Sequence, residues 1–212
     1  MLLKHGLAGL THKAAASGGE IFSDDFSTYT TGIDLDTVAA YTDYIAFSGG
    51  IRDLIVSASD TVYCDDITFK CQALRRETDL TSVDHYIEAD GTFATSSTEN
   101  TRLALFAGQD AGGTKAYVVL FYGDGTIELF LNVEGGTSLG TGTFTPTEGS
   151  SQVFRLERDE TASTVVVKVD GTTEITASSE TTNTGGQYGG FGQFEGVALA
   201  QSFFSELRGG TL

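Results

Sequence analysis

The sequence predicts an all-β protein in which two antiparallel sheets stack face to face around a single core. Strand-like runs recur at short intervals from Glu20 onward, and no segment of helical period interrupts them. The composition agrees, because 27 glycines and one proline suit many short strands joined by tight turns. A chain of 212 residues buries roughly 70% of the surface that its unfolded form exposes. We therefore expect one sandwich domain.

Two short segments are expected to flank this domain. Residues 1–19 are predicted to form an extended N-terminal arm and linker, residues 20–208 the sandwich, and residues 209–212 a C-terminal tail. Glycines weaken any helix in the arm. Its apolar residues are too often interrupted to form the core of a signal peptide, so we expect an intracellular site of synthesis. The arm would dock either on its own domain or on neighbouring subunits of an assembly. The apolar residues available for that docking are Leu2, Leu3, Leu7 and Leu10.

Turn residues separate the predicted strands along the whole domain. Before a central hairpin, the strand-like runs are residues 44–47, 51–58, 66–76, 82–89 and 102–107. After it, they are residues 137–144, 152–159, 164–169, 172–178, 188–194 and 198–207. Asp170-Gly171 marks a second hairpin turn, because this dipeptide favours the positive φ angles of tight β-turns. Residues 181–190 are polar and glycine-rich, which predicts a mobile loop.

The central hairpin, residues 115–133, has two apolar runs around Gly123-Asp124-Gly125. Asp-Gly between such runs predicts a type I′ turn, in which both central residues have φ > 0. By period-2 alternation, one face is predicted to carry Val118, Leu120, Ile127, Leu129, Leu131 and Val133. The other is predicted to carry Tyr117, Val119, Phe121 and Phe130, beside Glu128 and Asn132. A strand pair that is apolar on both faces is expected to lie in the middle of a sheet and to be covered on both sides.

Charge and cysteine content narrow the range of partners. The net charge of −17 and the pI near 4.3 predict neither nucleic acid nor an anionic membrane as partner. No stretch reaches the roughly 20 apolar residues of a membrane span. Cys64 and Cys71 are expected to be free thiols, with a disulfide across a tight turn as the alternative, and no zinc-ligand spacing accompanies them.

Three stretches of the sequence resemble the concanavalin A-like lectin/glucanase sandwich. They are the opening Ser23-Asp24-Asp25-Phe26-Ser27, the central series 117–121, 126–129, 154–158 and 165–171, and the closing 188–192 followed by 197–204. This jelly roll is shared by legume lectins, laminin G-like modules and many glycoside hydrolases. The resemblance spans residues 20–208 and implies that the first and last strands pair. It supports fold more than function. A short chain with an N-terminal arm before such a sandwich also resembles structural proteins of tailed bacteriophages.

The resemblance to glucanases implies a motif that this chain lacks. In that branch, Glu-x-Asp-x-x-Glu or Glu-x-Asp-x-Glu supplies two carboxylates about 5 Å apart for retaining hydrolysis. The nearest match begins at Glu157 and Asp159, but Thr161 or Ala162 replaces the last Glu, and the stretch 88–93 fails in the same way. Tryptophan, which stacks sugars in those enzymes, is absent. We therefore expect no enzyme.

Three further groups of residues are candidates for binding or are expected to be structural. Lectin-like relatives bind sugar through aromatic rings and polar groups, so Tyr117, Phe121, Phe130 and Tyr188 are candidate glycan contacts; the alternative is that they pack beneath a loop or subunit. Asp34 and Asp36 are candidate calcium ligands, although solvated or helix-capping acids are the simpler interpretation, and no cofactor is required. His85 is expected to be a strand histidine whose ring is satisfied by hydrogen bonds.

Together these patterns rank three functions. The first is a non-enzymatic virion structural protein, either a capsid decoration or a tail- or fibre-associated module, made in the host cytoplasm. Its arm would dock on other virion subunits, the protein would form a homo-oligomer such as a trimer, and host glycans are a further expected contact. The alternative is a carbohydrate-binding, lectin-like module or adhesin. A β-glucan hydrolase ranks last.

Overall fold

The computed structural model of the chain describes residues 19–43, 54–64, 70–94, 101–113, 115–132, 136–194 and 202–212. Within these ranges the strands of the first half are β1 (Glu20–Asp24), β2 (Tyr41–Asp43), β3 (Leu54–Val56), β4 (Val62–Cys64), β5 (Lys70–Arg76), β6 (His85–Thr92) and β7 (Arg102–Gln109). Those of the second half are β8 (Tyr117–Tyr122), β9 (Thr126–Leu131), β10 (Thr137–Thr143), β11 (Ser151–Asp159), β12 (Thr164–Val169), β13 (Thr172–Ser178), β14 (Tyr188–Phe194) and β15 (Phe203–Thr211). A short 3-10 helix occupies Leu35–Thr37. The predicted strand 44–47 and arm residues 1–18 lie outside the described residues.

The strands form two antiparallel sheets that pack face to face. Sheet A has the order β13-β12-β11-β6-β15-β4-β3, and β1 also pairs with β15. Sheet B has the order β10-β9-β8-β7-β14-β5-β2. The predicted all-β sandwich of two sheets is confirmed. Within the described ranges, no helix has the length and apolar character that crossing a membrane would require.

The first and last strands pair, as the family resemblance implied. β1 runs antiparallel to β15, with Phe22 opposite Gly209. The predicted domain end at residue 208 is wrong, because β15 continues to Thr211 and pairs with β6 along its length. A Cβ at position 209 would come within 2.4 Å of the Phe22 ring, so only glycine fits there. Residues 209–211 therefore belong to the sandwich and not to a tail.

The central hairpin forms, but its turn differs from the prediction. As a result, the side chains of β9 lie on the opposite faces of the sheet from those predicted relative to β8. Val119 lies opposite Leu129 and Phe121 opposite Ile127, so these four side chains share the face that points into the core. Of the three residues in the loop, Gly125 alone has a positive φ, of 91°. The loop is thus a three-residue turn with glycine in the left-handed position, where a two-residue type I′ turn was predicted. One extra loop residue moves every side chain of the partner strand to the opposite face.

The second hairpin has the turn that the sequence predicted. Asp170 and Gly171 have φ angles of 50° and 80°, and Val169 faces Thr172 directly across the turn. Two consecutive residues with positive φ define the type I′ geometry. β12 and β13, at the edge of sheet A, are therefore joined by these two turn residues alone.

Aromatic rings fill the space between the two sheets. One group, with ring centroids 4.5 to 6.2 Å apart, comprises Phe93, Phe121, Phe144 and Phe154. A second group, with centroids 5.0 to 5.9 Å apart, comprises Phe26, Tyr41, Phe191 and Phe204. Cys64, also buried in this core, is disulfide-bonded, so the expectation of free thiols is wrong. The side chain of Cys71 lies outside those described.

Candidate functional site

The outer face of sheet B carries an apolar patch that is already covered. Ala104, Phe106, Val118 and Leu120 are fully buried on this face, and Phe130 is only 8% exposed. The centre of this face therefore offers no open platform to a ligand or a second subunit.

The four predicted glycan contacts do not come together. Tyr117 and Phe121 are fully buried between the sheets, so the prediction that they share an accessible face with Phe130 is wrong. The longer hairpin turn places Phe130 on the opposite face of the sheet from these two rings. Tyr188 keeps a partly exposed ring, and the guanidinium of Arg75 lies 4.9 Å from its centroid. Of the four, Tyr188 alone retains a surface that a ligand could reach.

One of the two candidate calcium ligands, Asp34, caps a short helix, and its partner in that contact is the backbone N–H of the other, Asp36. Asp34 is the N-cap of the 3-10 helix, and its Oδ1 accepts a hydrogen bond from the N–H of Asp36 at 3.3 Å. The described part of the chain contains no group of three or more His, Cys, Asp or Glu side chains arranged to hold a metal ion. The helix-capping interpretation thus has a direct structural counterpart.

The glutamates of the two glucanase-like stretches, Glu157 and Glu88, stand in a row of ion pairs on the outer face of sheet A, whereas the carboxylate of Asp159 accepts the N–H of Ala162 at 2.6 Å. Glu157 accepts hydrogen bonds from Nε of Arg155 at 2.7 Å and from Nζ of Lys168 at 2.8 Å. Arg155 also pairs with Glu88 at 3.4 Å, and Arg208 pairs with Glu88 at 2.9 Å. We call these five residues the ion ladder. Its carboxylates alternate with cations across neighbouring strands, and each of them is engaged by two cations.

His85 is a buried strand histidine with partners at both ring nitrogens, in agreement with the sequence. Its Nδ1 lies 2.9 Å from the carbonyl oxygen of Ser82, and the N–H of Gly108 donates to Nε2 at 3.0 Å. Since Nε2 accepts, the ring is neutral with its proton on Nδ1. Gly108 lies at a bulge of β7 and has a φ of 69°. A bulge interrupts the hydrogen bonds between strands, and His85 accepts the N–H of Gly108 in their place. Burial lowers the pKa of His85 from 6.5 to about 4.

Arg158 lies in the core and fastens the loop between β13 and β14. Its side chain is 1% exposed. Nη1 donates to the carbonyl oxygens of Asp159 at 2.9 Å and Thr164 at 3.2 Å, and Nη2 donates to that of Glu180 at 3.2 Å. The guanidinium also lies 5.1 Å from the ring centroid of Tyr117. One cation thus joins the β11–β12 turn to the following loop.

The same loop is anchored at two further points. Asn183 is 2% exposed, and its N–H donates to the hydroxyl of Tyr117 at 3.3 Å. The N–H of Gly185 donates to Glu160 at 2.8 Å. The composition of residues 181–190 predicted a mobile loop, but these contacts tie its backbone to the sandwich, and its last three residues belong to β14.

The acidic residues of the opening motif are also used internally. Oδ2 of Asp24 accepts hydrogen bonds from the hydroxyls of Tyr29 at 2.7 Å and Tyr41 at 2.8 Å, and it pairs with Arg76 at 3.0 Å. Its Oδ1 accepts the N–H of Phe26 at 3.0 Å. Burial, and secondarily the charge of Asp24, raise the pKa of Tyr41 well above its usual value. This network joins β1, β2 and β5, and both carboxylate oxygens of Asp24 are engaged within the chain.

A groove lies at the edge of the sandwich, where β10 of sheet B approaches β13 of sheet A. The approach is close because Gly140 and Gly142 have no side chains; a Cβ on either would lie 2.9 or 3.0 Å from Ile175. The groove has a volume of about 360 Å³, and we call it the edge groove. Its lining residues are Thr143, Phe144, Thr145, Gln152, Val169, Asp170, Thr172 and Glu174.

Gln152 organises one wall of the edge groove. The residue is 7% exposed; its Oε1 accepts the N–H of Thr147 at 2.9 Å, and its Nε2 donates to the carbonyl of Thr145 at 3.2 Å and to Asp170 at 3.1 Å. The other oxygen of Asp170 accepts the N–H of Val153 at 2.8 Å. The Asp170 carboxylate is therefore held in one orientation at the rim of the groove.

The rest of the groove supplies an apolar surface and an unused charge. Phe144 is half-buried; its ring lies 5.9 Å from that of Phe93 and 5.7 Å from that of Phe154, and it also lines the groove. The carboxylate of Glu174 makes no hydrogen bond or ion pair with the described residues. The lining thus combines one aromatic residue, several threonines and two acidic residues, while the amide of Gln152 is used to hold Asp170.

No sequence pattern pointed to the edge groove. Its residues come from the end of β10, the start of β11 and the turn between β12 and β13. These segments are separated along the chain and come together only when the two sheets stack. The sequence marks Asp170 only as a turn residue, and nothing local indicates that its carboxylate lines a groove.

Comparison with known proteins identifies the fold. No protein-family model matches the chain, and no curated protein matches it. Among solved structures, the carbohydrate recognition domain of Emp46p is 10% identical with a TM-score of 0.65, over 93% of this chain and 100% of that one. A β-1,3-glucanase from Mycobacterium marinum is 15% identical with a TM-score of 0.62, over 92% and 100%. The carbohydrate-binding module CBM66 from Bacillus subtilis is 13% identical with a TM-score of 0.54, over 78% and 92%.

The chain therefore has the concanavalin A-like lectin/glucanase fold, as its sequence resemblance implied. The similar structures include carbohydrate-recognition proteins and glucanases. At identities of 15% or less for these three, the likeness concerns the fold alone. Function has to be argued from the residues of this chain.

Proposed function

We propose that the protein is a non-enzymatic, lectin-like carbohydrate-binding module whose ligand occupies the edge groove. Solved structures of this fold include a carbohydrate recognition domain, a carbohydrate-binding module and a glucanase, which supports a glycan as the ligand class. The observation that carries the proposal is the convergence of Phe144, Gln152, Asp170 and Glu174 on one groove.

These residue types match the two kinds of surface that a sugar presents. The C–H face of a pyranose ring is apolar and packs on an aromatic ring, which Phe144 supplies. The hydroxyl groups need oriented hydrogen-bond partners, and small-molecule sites commonly place a few such groups around an apolar surface. In the edge groove, Gln152 fixes the carboxylate of Asp170, so that partner is oriented before any ligand arrives. Pre-orientation reduces the entropy lost on binding.

Binding is preferred over hydrolysis because of where the acidic side chains point. Retaining hydrolysis needs two carboxylates about 5 Å apart on either side of the bond to be cleaved. Glu157 and Glu88 are both engaged by cations of the ion ladder, on the outer face of sheet A. The edge groove contains two carboxylates, but one of them, Asp170, is held by an amide and a backbone N–H. This arrangement suits recognition better than proton transfer.

A matched pair of substitutions tests the site. Thr172→Arg places a long side chain in the groove, whereas Thr176→Arg makes the same change at an exposed position of the same strand, outside the lining. On a glycan array followed by titration calorimetry, the unmodified protein and Thr176→Arg are expected to bind the same glycans. Thr172→Arg is expected to bind them at least about tenfold more weakly, a loss of about 1.4 kcal/mol. Absence of any glycan binding by the unmodified protein, or equal binding by both variants, contradicts the proposal.

Tyr188 defines the competing location on the outer face of sheet B. Its ring is partly exposed beside Arg75, so a ligand there would lose contact area in Tyr188→Ala. We expect this variant to bind glycans as the unmodified protein does. Loss of binding in Tyr188→Ala together with normal binding by Thr172→Arg would move the site to that face.

The virion role remains a prediction. Of its predicted anchoring segment, residues 1–19, the first 18 lie outside the described residues. The apolar patch on the outer face of sheet B is buried at its centre. The measurement that decides it is electron microscopy of particles assembled with the full chain and with a chain lacking residues 1–19. Unchanged incorporation of the shortened chain contradicts anchoring by the arm. A virion module that also binds glycans would satisfy both experiments.

A further inference from the structure

We infer that the edge groove selects glycans that carry a protonated amine, namely oligosaccharides of unacetylated amino sugars, over their acetylated or acidic counterparts. This inference rests on the proposed function, because it names the ligand class of the same groove. The charges and the hydrogen-bond state of the lining residues lead to it.

The charge of the groove has one sign. Asp170 and Glu174 are acidic, and none of the other described lining residues is basic or acidic. The chain as a whole carries a formal charge of −17, which adds a long-range field of the same sign. A uronic or sialic acid would bring a third carboxylate to this site and would be repelled. A protonated amine would be attracted by both the local and the long-range charge.

The two carboxylates differ in how they can meet an ammonium group. Glu174 has no hydrogen bond or ion pair within the described part of the chain, so its charge is available to a ligand. Asp170 is fixed by Gln152 and by the N–H of Val153, and each of its oxygens retains a further lone-pair direction. A protonated amine has three donors, which it can direct to carboxylates that line the same groove. A hydroxyl group in place of the amine would form a hydrogen bond to a carboxylate but would carry no positive charge.

The attraction is expected to be moderate because the groove is open to water. An ion pair in such a position is worth little in solvent, so selectivity between an amino sugar and its acetylated form is expected to be about twofold to tenfold. The amine must be protonated for any selectivity to appear, and about pH 6 lies roughly two units below the pKa of a peptide α-amino group and above those of carboxyl groups.

The experiment compares two oligosaccharides with the same backbone. A glucosamine hexamer and an N-acetylglucosamine hexamer are titrated by calorimetry at about pH 6 into the unmodified protein, Glu174→Gln and Glu20→Gln. Glu20 is exposed on β1, on the far side of β15 from β13, and it matches the charge change at a distance from the groove. We expect the glucosamine hexamer to bind more tightly to the unmodified protein and to Glu20→Gln. In Glu174→Gln the ratio of the two affinities is expected to fall towards one.

Each other outcome overturns the inference in a recognisable way. Equal affinity of the unmodified protein for both hexamers rejects the selectivity while leaving the carbohydrate-binding function in place. A preference that Glu174→Gln and Glu20→Gln reduce equally assigns the attraction to the acidic surface as a whole and rejects the groove as its origin. If neither hexamer nor any array glycan binds, the selectivity and the proposed function both fail.

Discussion

Acidification is expected to destabilise the protein through His85, and the burial of the ring sets the size of the effect. In the folded chain its pKa is about 4, against 6.5 for an exposed histidine. Between these values the unfolded chain binds a proton that the folded chain excludes. The stability that the protein owes to a neutral His85, measured as free energy of unfolding, is therefore fully present above pH 6.5. It is lost progressively as the pH falls towards 4. At roughly 1.4 kcal/mol per pH unit, the loss amounts to about 3 kcal/mol.

The structure shows why a proton is excluded. A proton on Nε2 would remove the acceptor of the Gly108 N–H and would leave that backbone group unsatisfied. It would also create a second cation in the core near Arg158, whose charge further lowers the pKa, while Asp84 acts in the opposite direction. Burial remains the largest cause.

Urea unfolding at a series of pH values measures this contribution. The chain has no tryptophan, so far-ultraviolet circular dichroism is the suitable signal. His85→Gln keeps a polar side chain but cannot titrate; at neutral pH we expect it to be less stable by about 1–3 kcal/mol. From neutral pH to about pH 4, the unmodified protein is expected to lose about 3 kcal/mol more than this variant, because the carboxylate titrations are common to both. Parallel stability curves, or a ring titration near 6.5 by NMR, would refute the reasoning.

Three further predictions concern stability. Gly125→Ala is expected to destabilise the protein by at least about 1 kcal/mol more than Gly171→Ala. Both glycines have a positive φ, but only at position 125 would a Cβ lie 2.4 Å from a backbone oxygen. Equal losses of stability in urea unfolding would contradict this. Arg158→Met is expected to cost about 2–4 kcal/mol and to speed proteolysis in the β13–β14 loop, whereas Lys168→Met, at a side chain 29% exposed, should leave the cleavage rate unchanged. Glu88→Gln removes the anion shared by two cations of the ion ladder and should cost about 1–2 kcal/mol, less at high salt; a loss that does not depend on salt would argue against an ionic origin.

The sequence predicted the fold well because strand patterns and turns are local. Alternation of apolar residues and the Asp-Gly dipeptides located the two hairpins, and the second turn has the predicted type. The faces of the first hairpin were assigned wrongly because its turn has three residues where two were expected. Whether Gly123 belongs to the strand or to the loop is decided by the contacts of Gly125 with the segment after β10, and that information is not local.

The candidate site was predicted less well for a related reason. The aromatic residues chosen from the sequence lie in the strongest strands, and such strands are central, so Tyr117 and Phe121 are buried in the core. The edge groove instead uses side chains at the ends of edge strands, where Glu174 and Thr172 look like ordinary solvated residues. Gln152 owes its role to three partners that the folded chain brings together.

The position of β15 has a consequence for how the protein acquires its structure. This strand lies between β6 on one side and β4 and β1 on the other, so sheet A is incomplete until it is inserted. During synthesis, those three strands wait with unpaired edges until residues 203–211 have emerged from the ribosome. Pairing residues so far apart in the chain is slow, and exposed strand edges invite aggregation in the meantime. Sheet A can therefore be completed only after residues 203–211 have been synthesised, and until then its open strand edges are the part of the chain most exposed to aggregation.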